Sequence, residues 1–280
     1  MDFRESFEKK VKKTISDYGL ANRKDRIVAA VSGGKDSTTT LYLLKKFGFN
    51  VEALFVDLHL KGFSEVNKKL VAKFCREQGI KLHILAFRKE FGHSMCYIRD
   101  ALGKKYGSCT VCGVLRRWLI NKKARELGAN KLATGHNLDD EAQTLMMNRA
   151  KNNPALNINL GPKTSRVTDK KFVQRIKPLY FCPEKDVKKY SMLMNLPANY
   201  DKCPCAYLAY RMKFREKMKS IEDREKVRLV KSFLEKLPQL RKECKTKEKL
   251  NYCKSCGEPA RKETCRACTL LKSARAESVQ

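Results

Sequence analysis

Arg26-Ile27-Val28-Ala29-Ala30-Val31-Ser32-Gly33-Gly34-Lys35-Asp36-Ser37 decides how this chain is read. The first six residues are a short apolar run and predict a buried strand. Behind the glycines, Thr38 to Lys46 has helical spacing, with Leu41, Leu44 and Lys45 following the turn. Gly33 and Gly34 therefore sit at a strand-to-helix turn, where the backbone can approach a ligand closely. Free N–H groups at a helix start favour an anion. Lys35 adds a positive charge, and Ser32 and Ser37 add hydroxyls. This is a phosphate cradle, distinct from the longer GxxxxGK[ST] loop. Asp36, a carboxylate beside phosphates, makes sense if it holds magnesium.

Ser-Gly-Gly-Lys-Asp-Ser after a strand resembles the PP-loop of the ATP pyrophosphatases. That resemblance implies cleavage of ATP between the α and β phosphates and adenylation of a substrate. It does not by itself name the substrate.

Charge narrows the partner. The 280 residues carry 61 Lys and Arg against 30 acids, a net charge of +31. Such an imbalance points to a polyanion, most simply nucleic acid. The excess runs from Lys9–Lys13 to Lys245–Lys249, so one solvated helix face does not account for it. A membrane surface is the competing partner. No apolar stretch of about 18 residues predicts a spanning helix, and the N-terminus does not read as a signal peptide.

Twelve cysteines in a chain without an export signal predict a reducing compartment, the cytoplasm, and metal or redox sites rather than structural disulfides. Cys253-x-x-Cys256 and Cys265-x-x-Cys268 form tandem pairs in a polar tail. Four thiolates at that spacing predict a structural zinc ribbon or knuckle. Cys109-x-x-Cys112 is different. It stands before Gly113 to Ile120, which reads as an amphipathic helix, so both sulfurs share one helical face. A helix N-terminus favours thiolate. Two thiolates need partners from elsewhere, and Cys203-Pro204-Cys205 is the nearest candidate. A redox dithiol and incidental buried cysteines also fit the residues.

Lys131 to Thr134 reads as a short strand running into Gly135-His136-Asn137-Leu138-Asp139-Asp140-Glu141, a turn that opens a helix. Strand ends at Val31, Asp57 and Thr134 would point at one crevice, since open α/β sheets bind ligands beyond the carboxyl ends of their strands. Asp139 and Asp140 offer carboxylates for a metal or for orienting ATP. Capping and dipole compensation account for one of them. His136 has no assigned role.

Taken together, Ser32–Ser37, Cys109-x-x-Cys112 with Arg116-Arg117, Ala133 to Thr144 and Cys203-Pro204 closely resemble the tRNA thiolases. Ile176-Lys177-Pro178-Leu179 and Glu184-Lys185-Asp186-Val187 share the likeness. With the C-terminal quartet, the match is nearest to the tRNA 2-thiouridine synthetases of archaea, some thermophilic bacteria and the eukaryotic cytosol. The resemblance implies ATP and Mg2+ at Ala30, Ser32, Gly33, Gly34, Lys35, Asp36, Ser37, Asp57, Gly135 and Asp140. It implies adenylation of a uridine C2 oxygen, then displacement of AMP by sulfur, with Lys35, Asp36 and Asp140 among the catalytic groups. It implies a [4Fe-4S] cluster on Cys109, Cys112 and Cys203, one iron left open; a persulfide and disulfide carried by the same cysteines is the alternative. Arg116, Arg117, Lys185, Lys188, Lys189 and Arg211 would grip tRNA phosphates. The implied partners are tRNA, a second copy of the chain, and a sulfur donor, either sulfide or a ubiquitin-like thiocarboxylate protein.

Two departures stand out. That branch usually begins with another cysteine-rich zinc finger, whereas this chain starts at the helix before the PP-loop. Cys205 follows the expected ligand by two residues and could replace it, relay sulfur or do nothing. Cys75, Cys96, Cys182 and Cys244 are expected to have no metal role. Competing functions are a 2-thiocytidine synthetase, which usually lacks the quartet, and a non-catalytic zinc-containing RNA-binding protein, which intact Asp36, Asp140, Cys109 and Cys112 disfavour.

The predicted fold is α/β, a doubly wound, mostly parallel sheet of the adenine nucleotide alpha hydrolase type. Strands are expected near 27–31, 51–57, 81–87, 131–134 and 173–177. Residues 1–25 form a basic lead-in helix and 26–205 the PP-loop domain, with 151–172 a flexible basic insertion. Residues 206–249 are a basic helical region, 250–270 the zinc module and 271–280 a disordered tail.

Overall fold

A computed structural model describes residues 2–60, 62–164, 169–201, 203–205, 210–244 and 251–276. Helix α1 (Phe3–Asp17) buries Phe7, Val11 and Ile15, the i, i+4 stripe of an amphipathic helix. Strand β1 (Arg26–Val31) follows, then α2 (Lys35–Lys46), β2 (Asn50–Asp57), α3 (Phe63–Glu77) and β3 (Leu82–Ala86). Two short helices, α4 (Phe87–Phe91) and α5 (Met95–Ala101), precede the long α6 (Ser108–Glu126). Strand β4 (Lys131–Ala133), α7 (Leu138–Ala150), β5 (Gln174–Ile176) and α8 (Glu184–Leu193) complete the alternation.

The five strands are parallel in the order β3-β2-β1-β4-β5. The central strands are apolar along their length because helices cover both faces. On one face, α1, α2, α3 and α8 enclose Phe7, Leu41, Leu44, Phe74, Val187 and Tyr190. On the other, α4, α5 and α6 enclose Val28, Leu54, Phe87, Ile98, Leu115 and Leu119. The strand order reverses between β1 and β4. Their carboxyl ends therefore open a crevice between them, the usual ligand position in such sheets.

All five strands lie where the sequence predicts them. The insertion at 151–172 is less free than expected. Pro154–Asn157 form a 3-10 turn. Lys163 pairs antiparallel with Ile176, Thr164 N donates to Arg175 O and Lys177 N donates to Pro162 O. The reason is the open edge of β5, whose unpaired backbone groups this segment satisfies. Residues 165–168 fall outside the described residues.

The basic C-terminal region is two helices, α9 (Tyr210–Lys219) and α10 (Asp223–Glu243), which pack on α7. The charge run 245–249 lies outside the described residues. Strands β6 (Asn251–Tyr252) and β7 (Pro259–Ala260) pair antiparallel ahead of α11 (Arg266–Ala276). The expected disordered tail is corrected over 271–276, which belong to α11. Leu270 and Ala274, four apart, turn into the core beside Leu115 and Leu119, and that burial orders the helix. Residues 277–280 are not among those described.

Candidate active site

The turn after β1 is shaped for close backbone approach. Gly33 has φ +83°, and a Cβ there would stand 2.7–2.9 Å from the Asn67 side chain. Gly34 caps α2 with extended backbone and no side-chain hydrogen bond. Ser37 Oγ accepts from Ser32 N at 3.1 Å and donates to Gly34 O at 3.0 Å, folding the loop on itself. The first N–H groups of α2 are thus left facing outward, and their dipole favours an anion. The buried Asn67 carbonyl oxygen has no partner. The cradle fits phosphate chemistry, as the sequence implies.

The turn after β4 locks onto this loop. A Cβ on Gly135 would lie 2.6 Å from backbone atoms of Asp36 and Ser37, so only glycine fits. Asn137 Nδ2 donates to Asp36 Oδ1 at 3.0 Å. Asn137 and Asp140 form a reciprocal capping box at the start of α7. Asp140 therefore caps its helix and also faces the crevice. The surrounding protein, then the nearby Asp36 charge, lift its carboxyl to about 6 against the pull of Arg211. Two carboxylates, Asp36 and Asp140, fit a hard divalent cation. Asp139 turns away, accepting from Glu184 N at 2.6 Å and Lys226 Nζ at 2.7 Å. Asp57 ends β2 and accepts from His59 N at 2.9 Å. Ala30 is partly buried one residue before the end of β1.

Lys35 is held between Asp36 (3.0 Å) and Glu184 (2.8 Å). Burial would lower its pKa, but the two acids outweigh burial and raise it. Glu184 also takes Arg215 at 2.7 Å, which ties the loop to α9. This acid gave no signal by spacing; it acts across 149 residues of sequence. His136 opens onto the crevice, where crowding and then Lys177, Arg211, Arg175 and Arg116 push its imidazole well below the ordinary range.

Cys109 and Cys112 sit in the first turns of α6, as expected. The segment carrying Cys203 and Cys205 meets them: Cys109 Sγ lies 3.9 Å from Cys205 O. Asn199, four residues before Cys203, donates its N–H to Gly33 O at 2.8 Å. Thiols and phosphate cradle are therefore joined through one short segment. Contrary to the expectation from the helix N-terminus, the Cys109 and Cys112 thiols are raised, as is that of Cys203, burial being the largest cause and neighbouring thiols adding to it. An all-sulfur donor set drawn from two parts of the chain, α6 and the segment 203–205, fits an iron–sulfur cluster, whose thiolates bind separate irons.

The quartet Cys253, Cys256, Cys265 and Cys268 is tighter, its sulfurs all within 4.8 Å of one another. Burial pushes the Cys253 thiol up, yet backbone donors from Cys265, Ser255 and Cys256 bring it down to about 6. Four thiols at that distance fit a closed tetrahedral zinc site. Cys75 and Cys182 are buried in the core, their thiols raised to about 11 and about 12 by burial.

The cations divide. Arg116 and Arg117 stand on α6 with no acidic partner among the described residues. Arg211 spends its guanidinium on α7, at 2.5 Å from Gln143 Oε1 and 3.3 Å from Asp140 Oδ1. Lys185 pairs with Asp223, Lys188 lies over Tyr200 and Lys189 over Phe3. These three are on α8, across the sheet from α6. A cleft of about 470 Å³ joins Lys35 and Glu184 to Lys185, Lys188 and Lys226. Among the described residues, no helix is long and apolar enough to cross a membrane.

Comparison with known proteins agrees with this geometry. The PP-loop domain model matches residues 3–216. The chain is 34% identical to a tRNA-5-methyluridine(54) 2-sulfurtransferase of Pyrococcus horikoshii, over 95% of this chain and 84% of that one. It is 34% identical to the cytoplasmic tRNA 2-thiolation protein 1 of Caenorhabditis elegans, over 96% and 73%. Among solved structures, the U34-tRNA thiolase NcsA of Methanococcus maripaludis, with its [4Fe-4S] cluster, superposes with a TM-score of 0.78 at 28% identity, covering 96% of this chain and 87% of that one.

Proposed function

The chain belongs to the PP-loop family, among its tRNA 2-sulfurtransferases and 2-thiolation proteins, and on that premise we propose that it thiolates a tRNA uridine at C2 using ATP. One observation carries the reading: the Asn199–Gly33 hydrogen bond ties the thiol-bearing segment to the phosphate cradle, so activation and sulfur delivery share a crevice.

In this reading the uridine C2 oxygen attacks the α phosphate of ATP and pyrophosphate leaves. Backbone N–H groups of Gly33 and Gly34, with Lys35, offset the charge that develops on the phosphates. Asp36 and Asp140 would hold Mg2+, which neutralises the same charge. Lys35 must leave Glu184 to reach phosphate, and Arg215 remains to balance that acid. Ala30, Ser32, Ser37, Asp57 and Gly135 line the nucleotide's place. A sulfur nucleophile then attacks C2 and the C2–O bond breaks, so AMP departs with the oxygen. Cys109, Cys112 and Cys203 would hold a [4Fe-4S] cluster, which supplies a site for the incoming sulfur when bound.

Zn2+ at the C-terminal quartet would hold its module together. Arg116 and Arg117 are the cations freest to meet RNA phosphate, with Lys185, Lys188, Lys189 and Arg211 as supporting contacts that position without reading sequence. The proposal includes a homodimer in the cytoplasm, fed by sulfide or by a thiocarboxylate protein. The test is anaerobic reconstitution and incubation with tRNA, ATP, Mg2+ and sulfide, followed by nucleoside mass spectrometry. 2-Thiouridine is expected. No thionucleoside defeats the reading, and thiocytidine alone replaces it with the cytidine enzyme.

A further inference from the structure

We propose that Cys205 is a fourth protein ligand of the cluster assigned to Cys109, Cys112 and Cys203, a reversible cap on the remaining iron. The inference rests on the cluster reading above and extends it to a residue that reading leaves without a role.

Four observations support it. Cys205 lies in the described segment 203–205, and its backbone carbonyl is 3.9 Å from Cys109 Sγ. Cys205 is half-buried, as Cys112 and Cys203 are, while Cys75 and Cys182 are shut in the core. Pro204 between the two cysteines fixes its own φ, which limits the motion of one sulfur relative to the other. Arg99 on α5 donates from Nη1 to Cys205 Sγ at 3.5 Å, and Asp100 at 2.7 Å holds that guanidinium. A guanidinium donor beside a ligating sulfur is the kind of outer partner that orients a metal ligand and tunes the metal.

The exchange balances without an oxidant. On binding, the Cys205 thiol gives its proton to solvent. When a hydrosulfide ion takes its place, the released thiolate regains a proton, and no iron changes valence. The cap would thus keep solvent and stray ligands off the reactive position until the donor arrives.

The test uses the anaerobically reconstituted full chain, comparing wild type with Cys205→Ala, Cys205→Ser and Cys96→Ala. Cys96 is on the same helix as Arg99 but is not proposed as a ligand. An iron that lacks a protein thiolate is the one lost on mild ferricyanide oxidation. Iron content and electron paramagnetic resonance are read before and after that oxidation. Wild type and Cys96→Ala are expected to keep about four irons per cluster, while both Cys205 variants fall to about three and gain the three-iron signal. If wild type loses its iron as readily as the Cys205 variants, the proposal is overturned and the three-cysteine cluster stands. If wild type binds no cluster at all, the cluster reading falls and takes this proposal with it.

Discussion

Helix α6 meets two thiol sites, and they are built in opposite ways. At its first turns, Cys109 and Cys112 meet the segment of Cys203 and Cys205, which follows the contact of Asn199 with the phosphate cradle. Toward its other end, Arg125 makes a two-pronged pair with Glu258, which is only 6% exposed, inside the quartet module. Cys253 and Cys265 there belong to the same apolar cluster as Leu115 and Leu119. The quartet has its sulfurs gathered and its backbone donors already aimed at them. The crevice thiols stay partly open: Cys109 is exposed, and Cys112, Cys203 and Cys205 are half-buried. A metal that only braces the fold can be enclosed, whereas one that exchanges a ligand needs an approach route.

That contrast can be broken by substitution. The largest effect is expected from Cys109→Ala, which should abolish the broad absorbance near roughly 400 nm while leaving zinc content unchanged, as measured by visible spectroscopy and elemental analysis. If the absorbance survives, the crevice assignment is wrong. Cys265→Ser should do the reverse: zinc is lost and α11 becomes open to proteolysis, with most of the visible absorbance retained. Simultaneous loss of both metals would mean the two sites are not independent. Gly135→Ala should eliminate ATP binding in calorimetry, because its methyl would enter the backbone of Asp36 and Ser37, while both metals remain. Arg125→Ala leaves Glu258 buried without its cation and should lower stability by about 2–3 kcal/mol in denaturant unfolding. The smallest change is expected for Tyr252→Phe, which removes one exposed hydrogen bond to Asp169 and should cost about 0.5 kcal/mol.

The sheet and both turns beside the crevice were legible because their signals are local. Apolar runs mark β1 and β2, and glycines mark the places where backbone meets backbone. The four quartet cysteines were legible by spacing alone. Asn199 and Asn67 were not, nor was the pairing of Glu184 with Lys35, although Glu184 stood in a motif of the resemblance; each acts on the PP-loop from far along the chain, and polar residues at such distances leave no period. The pairing of Arg211 with α7 was hidden for the same reason; charge alone could not distinguish a cation that packs from one that waits for phosphate. The final helix was missed through its polar composition, although Leu270 and Ala274 carried the spacing that buries it.

Nineteen residues of helix separate the start of α6 from its end. At about 1.5 Å per residue this is a strut of nearly 30 Å, in register from one end to the other. Its sulfurs are therefore aimed by a part of the molecule that never meets the nucleotide. Emptying the quartet should therefore leave the crevice cluster bound but shift where its thiols point, much as slackening a guy-rope moves the top of a mast without felling it.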